Sequence, residues 1–444
     1  MKILVVGCTH AGTAFIVNAK RKYPESDIVV YEKNDNVSFL SCGIALSVSN
    51  IVKEPEKLFY NSPQNLSGMG INMKMNHEVI KIDTKNKTVR VKDLKSNNEF
   101  DDNYDKLILT LGSWPIVPKF QGGELENILL CKNYNHAKEV IERAKTAHNV
   151  VVIGAGYIGV ELAEAFEMQG KYVTLVDAEE RIMSKYLDKE VTAIAEEEFM
   201  KRGVNLRLGQ KVRSFKGDNG KVTAVETDKE TIKADLVIMC IGFAPNTRLI
   251  DEQIKTLKNG AIVIDEYMRT SDEDVFAAGD CCMVKYNPAK DDRYIPLATN
   301  AVRMGTLIAE NLVAPTLKYL GTQGTSGIKI YDKCIASTGM TEEVAKATTN
   351  MDVASVILKD NHRPEFMPTF SEVMIKLVYD KETERILGGQ IVSEEDLTQH
   401  MNTLSVVIQN NMTLKELAVT DFFFQPHFNK PWSILNAVAL KALQ

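Results

Sequence analysis

Residues 2–15 read KILVVGCTHAGTAF. Ile3 to Val6 form an apolar run that is long enough for a buried parallel strand, and Gly7 ends it. Gly12 stands where a helix would begin, so the N–H groups of the turn and the positive end of that helix can face a pyrophosphate. The stretch therefore predicts a strand, a tight turn and a helix.

A carboxylate follows the next apolar run. Residues 28–31 predict a second strand, and Glu32 ends it 20 residues after Gly12. An acid at this place binds a ribose hydroxyl group in dinucleotide-binding folds. Because Thr9 occupies the middle glycine position of G-x-G-x-x-G, an ordinary strand-to-helix turn stays an alternative interpretation of this copy.

A second and complete copy of this glycine motif supports the prediction of nucleotide binding. Residues 136–149 predict a helix and residues 150–153 a buried strand, which ends at the sequence GAGYIG. This full G-x-G-x-x-G begins a helix predicted over residues 160–169. The next strand, residues 172–176, ends at Asp177, which lies 18 residues after Gly159.

The acids after the second copy bear on nucleotide choice. Asp177, with Glu179 and Glu180 behind it, can accept hydrogen bonds from a ribose diol and repel a 2′-phosphate. This arrangement favours NADH over NADPH. Arg181 argues the other way, since an Arg near the ribose can accept that phosphate.

Composition limits the class of protein. The 444 residues allow two to four domains, and the 44% hydrophobic and 25% charged residues are ordinary for a globular chain. A net charge of −6 without a basic block argues against nucleic acid as a partner. No apolar run approaches the roughly 20 residues of a membrane span. Met1 and Lys2 lead directly into a strand, so we expect no signal peptide and a cytoplasmic location.

The seven cysteines lack metal-type C-x-x-C spacing, so we expect free thiols and no metal. Cys42 follows an apolar stretch and has two interpretations, a packed core residue or a redox thiol. In the second, the helix that follows would lower the pKa of its thiol. Leu46 stands four residues on, so no local disulfide pair is available, and redox work would proceed through a sulfenic acid or an external thiol.

Further buried strands end at polar or glycine residues. The strand at 106–110 runs into a chain exit at 112–115, and the strand at 236–241 ends at Gly242. The apolar run 275–278 ends at Gly279 and Asp280, which predicts either a strand-ending turn or contacts to a polyol chain.

The tail begins after the glycine-rich segment 321–327 and predicts a separate domain. It contains strands predicted at 328–331, 355–359, 373–379 and 386–391, and helices predicted at 397–409 and 433–443. The aromatic run at 421–428 indicates either core packing or a subunit contact.

These residues together resemble the pyridine-nucleotide:disulfide oxidoreductase superfamily over the whole chain. The motifs VGCTHAG, SFLSCGIAL, LGSWP, GAGYIGVE, GFAPNT, FAAGD and FFFQPHFNKPW resemble its branch of NADH oxidases, NADH peroxidases and coenzyme-A disulfide reductases. CTHAG, LCKN and GSWP are most similar to the water-forming NADH oxidases. The coenzyme-A disulfide reductases usually have Asn before the lone Cys, where this chain has Ser41.

The resemblance implies an α/β fold with two Rossmann-like domains, which bind FAD and NADH, and an α+β C-terminal dimerisation domain. The implied FAD domain is split between residues 1–115 and 249–325. The NADH domain covers 116–248, and residues 326–444 pair two chains into a homodimer.

The resemblance also implies site residues. Cys42 matches the redox cysteine. His10 and Arg303 match a pair of residues that lies beside this cysteine in the NADH peroxidases. The implied cofactor-binding residues are Gly7, Thr9, His10, Ala11, Gly12, Glu32, Cys42, Thr110, Gly112, Asp280, Leu297, Ala298 and Thr299 for FAD, and Gly154, Gly156, Tyr157, Ile158, Gly159, Glu161, Asp177 and Gly242 for NADH. Tyr157 matches the ring that covers the flavin until the nicotinamide displaces it.

The implied reaction reduces O2 to water with two NADH. We expect peroxide to form in the pocket and the Cys42 thiolate to reduce it, which gives water and a sulfenic acid. His10 would hold the charge of the thiolate or supply a proton. An NADH peroxidase and a coenzyme-A disulfide reductase stay open as alternatives.

Overall fold

The computed structural model describes residues 1–250 and 252–444. Residues 1–115 hold most of a parallel sheet, a three-stranded meander (β4 to β6) and short helices. Their bounds are β1 Lys2–Val6, α1 His10–Lys22, β2 Asp27–Glu32, α2 Ile44–Val48, α3 Pro63–Gly68, β3 Asn72–Met75, β4 His77–Asp83, β5 Thr88–Asp93, β6 Glu99–Asn103, β7 Lys106–Leu109 and β8 Ser113–Pro115. The 3-10 turns Ser41–Gly43 and Pro55–Leu58 flank α2.

The middle of the chain holds a second parallel sheet and then returns to the first. The elements of residues 116–325 are β9 Ile128–Leu130, α4 Tyr134–Ala144, β10 Asn149–Ile153, α5 Tyr157–Met168, β11 Tyr172–Val176, α6 Lys189–Lys201, β12 Asn205–Arg207, β13 Val212–Asp218, β14 Lys221–Thr227, β15 Thr231–Lys233, β16 Leu236–Met239, β17 Phe243–Pro245, β18 Val275–Ala277, β19 Val284–Tyr286, β20 Asp291–Arg293 and α7 Ala298–Asn311.

The last part of the chain, called the C-terminal domain below, holds an antiparallel sheet and its helices. The elements are β21 Ser326–Ile330, β22 Lys333–Gly339, α8 Glu342–Thr348, β23 Val353–Asn361, β24 Glu372–Asp380, β25 Ile386–Ser393, α9 His400–Gln409, α10 Leu414–Ala418 and α11 Ile434–Ala442. The sheet order is β21-β22-β25-β24-β23, and helices α9, α10 and α11 share one apolar core with it.

The two parallel sheets have the orders β18-β7-β1-β2-β3 and β12-β11-β10-β16-β9. Strands β1 and β10 lie at the centres of their sheets, and each leads directly into a helix, α1 or α5. Both strands are apolar over almost their whole length because a parallel sheet is covered on both faces. The two parallel sheets and their helices therefore have the same arrangement. Strand β18, late in the chain, returns to the first sheet beside β7.

A two-stranded ribbon joins the two sheets. Strands β8 and β17 run antiparallel, with Pro115 opposite Phe243 and Ser113 opposite Pro245. The chain therefore leaves the first sheet and comes back to it through neighbouring strands. The precise domain boundaries stay a prediction.

Helix ends differ from the predictions. The helix predicted over 136–149 is wrong at its end, because α4 stops at Ala144 and Asn149 already belongs to β10. The backbone and side-chain nitrogens of Asn149 donate to Asp235, which fixes the start of that strand. The helix predicted from residue 160 begins earlier, at Tyr157. Among the described residues, no helix has both the length and the apolar character needed to cross a membrane.

Candidate functional site

The turn between β1 and α1 accepts only glycine at two positions. Gly7 has a φ of +91°, and a Cβ there would lie 2.5 Å from the Thr110 carbonyl oxygen. A Cβ on Gly12 would lie 2.3 Å from the Gly7 oxygen. Thr110 Oγ1 donates to the Gly7 oxygen at 2.7 Å, so its side chain holds the turn. The helix is thereby pressed onto the strand end.

The first turn of α1 is open to an anion. Thr9 is the N-cap residue, but its side chain makes no capping hydrogen bond. Helix α4, by contrast, is capped by the Asn133 side chain. His10 and Ala11 are the first two residues of α1, so their N–H groups and the positive end of the helix face the place predicted for a pyrophosphate.

Glu32 lies at the end of β2 and closes the turn from the other side. Its side chain is buried and accepts from the backbone N–H of Cys8 at 2.8 Å and of Asn34 at 2.9 Å. Burial raises the pKa of Glu32, while these hydrogen bonds oppose the rise. A carboxylate has four acceptor positions, so it can still accept a ribose hydroxyl group.

The second glycine turn repeats the first with a wider opening. Gly154 has a φ of +102°, and a Cβ on Gly159 would lie 1.7 Å from the Gly154 oxygen. A Cβ on Gly156 would meet only a ring carbon of Tyr186, at 3.9 Å, so Gly156 faces a groove. Helix α5 begins at Tyr157 and has no side-chain cap.

The groove beside Gly156 has a volume of about 380 Å³, and its walls include Asp177, Tyr186 and Gly242. Asp177 accepts from the backbone N–H groups of Ala155 and Glu179. It therefore closes the second turn as Glu32 closes the first. Ile158 and Gly159 follow inside the helix.

Tyr157 and Glu161 lie on the same helix but in different surroundings. The Tyr157 ring packs against Tyr186 with centroids 4.7 Å apart, and its hydroxyl group lies 2.8 Å from Ser326 Oγ in the C-terminal domain. The Glu161 carboxylate takes part in no hydrogen bond or ion pair among the described residues, and only burial and Glu164 shift its pKa. Burial, and then the nearby Glu164, raise the pKa of Glu161 to about 7.

Cys42 lies where the part of the chain with the first parallel sheet packs against the part with the second. It is the one exposed cysteine of the seven, whereas Ile44 and Leu58 next to it pack into the core of the second sheet. The interpretation of Cys42 as a packed core residue is therefore wrong.

The predicted lowering of the Cys42 pKa is also wrong. Helix α2 has only five residues, and the surrounding protein and then Glu161 raise the pKa of the thiol, although Cys42 is an exposed residue. Lys132 opposes that rise. A short helix with a weak dipole cannot offset desolvation and a nearby carboxylate.

Lys132 connects the parts of this junction. Its ammonium donates to Ser113 Oγ at 2.9 Å and to Asp280 Oδ2 at 3.2 Å, and it lies 4.5 Å from the Phe243 ring centroid. Ser113 Oγ also donates to Asp280 at 2.8 Å. Asp280, predicted at a ribityl chain, is thus held by Ser113 of the ribbon strand β8 and by Lys132 of the segment after β9.

His10 faces the same pair of charges. Its Nδ1 lies 3.0 Å from Tyr60 Oη, and its Nε2 is buried with no hydrogen-bond partner among the described residues. Burial lowers the pKa of His10, Asp280 raises it and Lys132 lowers it again. Burial raises the pKa of Tyr60 to about 12. His10 is therefore neutral near pH 7, with Tyr60 as a protonated neighbour.

The remaining predicted residues lie around this junction. Gly112 and Gly242 both have positive φ and stand at the two ends of the ribbon, and Leu297, Ala298 and Thr299 form the uncapped start of α7. Arg303 does not bond His10. It donates to Asn300 and lines a separate cavity of about 560 Å³ with Tyr319 and Gln323.

Comparison with known proteins decides the family. Residues 1–305 match the pyridine nucleotide-disulphide oxidoreductase family, and residues 325–433 match its dimerisation domain. The chain belongs to this family. An NADH oxidase of Enterococcus faecalis is 52% identical over 445 residues and covers all of both chains.

Two further relatives mark the breadth of the family. The structure of a water-forming NADH oxidase from Lactobacillus brevis bound to NADH has a TM-score of 0.98 and 49% identity, and it covers 100% of this chain and 98% of that one. An NAD(P)H coenzyme A polysulfide/persulfide reductase of Pyrococcus horikoshii is 34% identical over 99% of this chain and 97% of its own.

Family membership confirms the predicted oxidoreductase with a mixed α/β fold and a C-terminal dimerisation domain, and the predicted cofactors FAD and NADH. The residues present fit these cofactors. Both turns reject a Cβ where the helix packs onto the strand end, at Gly12 and at Gly159, and both helices lack a side-chain cap.

Three residues at the site were not singled out from the sequence. Lys132, Tyr60 and Tyr186 belong to no nucleotide motif. For Lys132 a signal existed, since it follows strand β9 within the LCKN motif. Tyr60 and Tyr186 lie in irregular segments, where nothing in the pattern shows which way a ring points.

Proposed function

We propose that this protein is an NADH oxidase that reduces O2 to water, with Cys42 as its redox residue. The observation that carries the proposal is the position of Cys42. It is the one exposed cysteine, and it lies between two nucleotide folds, where Lys132 lowers the pKa of its thiol while Glu161 and Asp280 raise it.

Each fold has a separate task in this proposal. Gly7, Gly12 and Glu32 would hold FAD, and Gly156 and Asp177 would hold NADH. FAD, when bound, supplies electron transfer between the nicotinamide and the oxidant. The carboxylates of Asp177 and Glu179 disfavour a 2′-phosphate, so NADH is the expected donor.

Cys42 would prevent the escape of peroxide. Its thiolate attacks one oxygen of hydrogen peroxide, the O–O bond breaks, and the departing hydroxide takes a proton to become water. The sulfur is then a sulfenic acid. A second NADH supplies the hydride equivalent that converts the sulfenic acid to the thiolate and a second water.

His10 would supply the proton to the departing oxygen. Tyr60 can donate to Nδ1, which leaves the imidazole proton on Nε2, and Nε2 has no partner among the described residues. This buried N–H is therefore available to donate a hydrogen bond to the departing oxygen, which is basic enough to take up the proton as the O–O bond breaks. Lys132 would stabilise the negative charge of the thiolate.

The relatives support this choice. The Enterococcus faecalis protein is described as an NADH oxidase, and the Lactobacillus brevis protein as water-forming. Both are more similar to this chain than the coenzyme A polysulfide/persulfide reductase of Pyrococcus horikoshii.

The stoichiometry of the purified protein tests the proposal. We expect about two NADH consumed for each O2, with no peroxide released, because four electrons are needed to form water. About one NADH for each O2, with accumulating peroxide, would contradict it. NADH oxidation that requires added peroxide, or added coenzyme-A disulfide, would assign one of the alternative activities instead.

Replacing Cys42 by Ser tests the role of the sulfur. The variant should still consume O2 but release peroxide, so the ratio of NADH to O2 should fall from about two to about one. Cys334→Ser is the matched control, since Cys334 is a half-buried cysteine of β22 and should leave the ratio unchanged. If Cys42→Ser still makes only water, the assigned role of Cys42 is wrong.

A further inference from the structure

One wall of the NADH groove is a segment without regular structure, residues 181–188. Met183, Ser184, Lys185 and Tyr186 from this segment line the groove. Met183 has a φ of +47°, although it is not glycine, and its side chain is buried. A backbone in this region persists only when its surroundings hold it there.

The C-terminal domain holds the far end of the segment. Asp188 is fully buried, and its carboxylate accepts from the Gln390 side chain at 2.7 Å and from the backbone N–H of Glu342 at 3.1 Å. The Asp188 N–H donates back to Gln390 Oε1 at 2.9 Å. Asp188 precedes α6 but does not cap it. Its side chain instead bonds the start of α8 in the C-terminal domain.

A buried lysine completes this anchor. Lys376 on β24 is 2% exposed, and its ammonium lies 3.3 Å from Asp188, 3.0 Å from Glu190 and 2.8 Å from Glu342. Asp188 and Glu190 belong to the part of the chain that holds the second parallel sheet, and Glu342 belongs to the C-terminal domain. Removing one member of such a buried group leaves uncompensated charge, so the contact is costly to open.

The near end of the segment is held by the same helix. Arg181 Nη2 donates to Glu343 Oε2 at 2.5 Å, and its Nη1 donates to the Leu187 carbonyl oxygen at 3.2 Å. Arg181 was the residue that the sequence offered as a possible partner for a 2′-phosphate. Its guanidinium is directed instead to Glu343 on α8.

We propose that the C-terminal domain sets the shape of the NADH groove by holding residues 181–188 at both ends. Lys376 and Glu343 are positioning residues in this scheme, since neither touches the nucleotide. They act through Asp188 and Arg181. The inference rests on the proposed placement of NADH in this groove.

The test uses the complete protein with FAD bound. Lys376→Met should raise the KM for NADH about tenfold and leave kcat at saturating NADH within about twofold, because a displaced wall weakens binding of the nucleotide before and after hydride transfer alike. Binding of NAD⁺, measured directly by calorimetry, should weaken to the same degree. Lys376→Arg keeps the charge and should restore much of the affinity.

Glu343→Gln is the second variant, and it removes no buried charge. About half of the Glu343 side chain is exposed, so we expect this variant to fold. It should raise the KM for NADH about threefold and increase the relative use of NADPH, because Arg181 is freed. Lys381→Met is the matched control. This substitution breaks an exposed ion pair with Asp352 in the same domain, and neither residue of that pair contacts residues 181–188. It should leave the KM for NADH and the relative use of NADPH unchanged.

The outcomes separate the inference from the proposed function. If Glu343→Gln and folded Lys376→Met bind NAD⁺ as the unaltered protein does, the C-terminal domain does not shape the groove and the inference is overturned. If the unaltered protein neither binds NAD⁺ nor oxidises NADH, the proposed function itself fails. If Lys376→Met does not fold, the comparison of NAD⁺ binding by Glu343→Gln with that by Lys381→Met is sufficient to test the inference.

Discussion

Glu161 is a carboxyl group without a partner among the described residues, and it lies within electrostatic reach of Cys42. Burial raises its pKa from an ordinary 4.5 to about 7. The folded protein therefore holds this proton more tightly than the unfolded chain does. Stability must fall as the pH rises from about 5 to about 7, and the loss is complete above pH 7.

Glu161→Gln should remove this penalty. Thermal unfolding should show a small gain in stability at pH 5 and a larger gain at pH 8, of up to about 3 kcal/mol, since each pKa unit corresponds to about 1.4 kcal/mol. The rise of the gain with pH is the decisive feature. An equal gain at both pH values would mean that Glu161 is not held protonated by burial.

Single residues also mark what the sequence could and could not predict. The identity of Cys42 as a candidate and the place of Glu32 and Asp177 followed from motif spacing. The direction of the Cys42 pKa did not, because it depends first on burial by the surrounding protein and then on Glu161, which lies more than one hundred positions away in the chain. A local sequence pattern does not show which charged residues from distant parts of the chain lie near a given side chain.

At the scale of elements, the crossing of α1 and α7 depends on one glycine. A Cβ on Gly305 would lie 2.2 Å from the Ala11 carbonyl oxygen, which is backbone and cannot move aside without shifting α1. Gly305→Ala should cost about 1–3 kcal/mol of stability despite the better helix propensity of alanine. It should also speed the release of FAD, because α1 carries the open N-terminus.

The measurement for Gly305→Ala is the melting temperature together with the rate of flavin release. Gly68→Ala is the control, since Gly68 ends α3 and a Cβ there meets nothing within 4 Å. A stable Gly305→Ala variant that keeps its flavin would show that the two helices can separate at little cost.

The elements that the sequence predicted best are those with a strong apolar pattern. Strands β1 and β10, and the helices after them, were found from their runs and glycines. Strand β22 and helices α6 and α8 were not predicted, because their sequences mix polar and small residues and their cores are completed by other parts of the chain. Helix α8 matters most among these, since it holds both ends of residues 181–188.

At the scale of the whole molecule, the C-terminal domain has exposed aromatic residues that a second copy of the chain would cover. Phe423 is 69% exposed and Phe428 is 64% exposed. The alternative of core packing for this aromatic run does not hold for these two rings. Exposed apolar groups of this kind mark an interface.

Phe423→Glu should weaken a dimer by about 2 kcal/mol or more, which is about a thirtyfold rise in its dissociation constant. Light scattering across a dilution series measures the effect. Tyr172→Glu is the control, because Tyr172 is equally exposed but belongs to β11. A dimer that is unchanged by Phe423→Glu would place the interface elsewhere.

The overall arrangement could be predicted because two copies of one motif imply two similar domains. Their joining could not be predicted in the same way. The contacts of Lys132 with Asp280, and of Lys376 with Asp188, cross between parts of the chain that carry no shared pattern. Such contacts depend on tertiary packing, which a single sequence does not display.

The ribbon of β8 and β17 has an evolutionary consequence. Because Pro115 and Phe243 lie opposite each other, the stretch between them starts and finishes at one point of the host fold. A unit with adjoining ends can enter or leave a gene as a cassette without tearing the sheet that receives it. Ancestral recombination could thus exchange the donor specificity of this scaffold in a single event, while the oxidant side stayed intact.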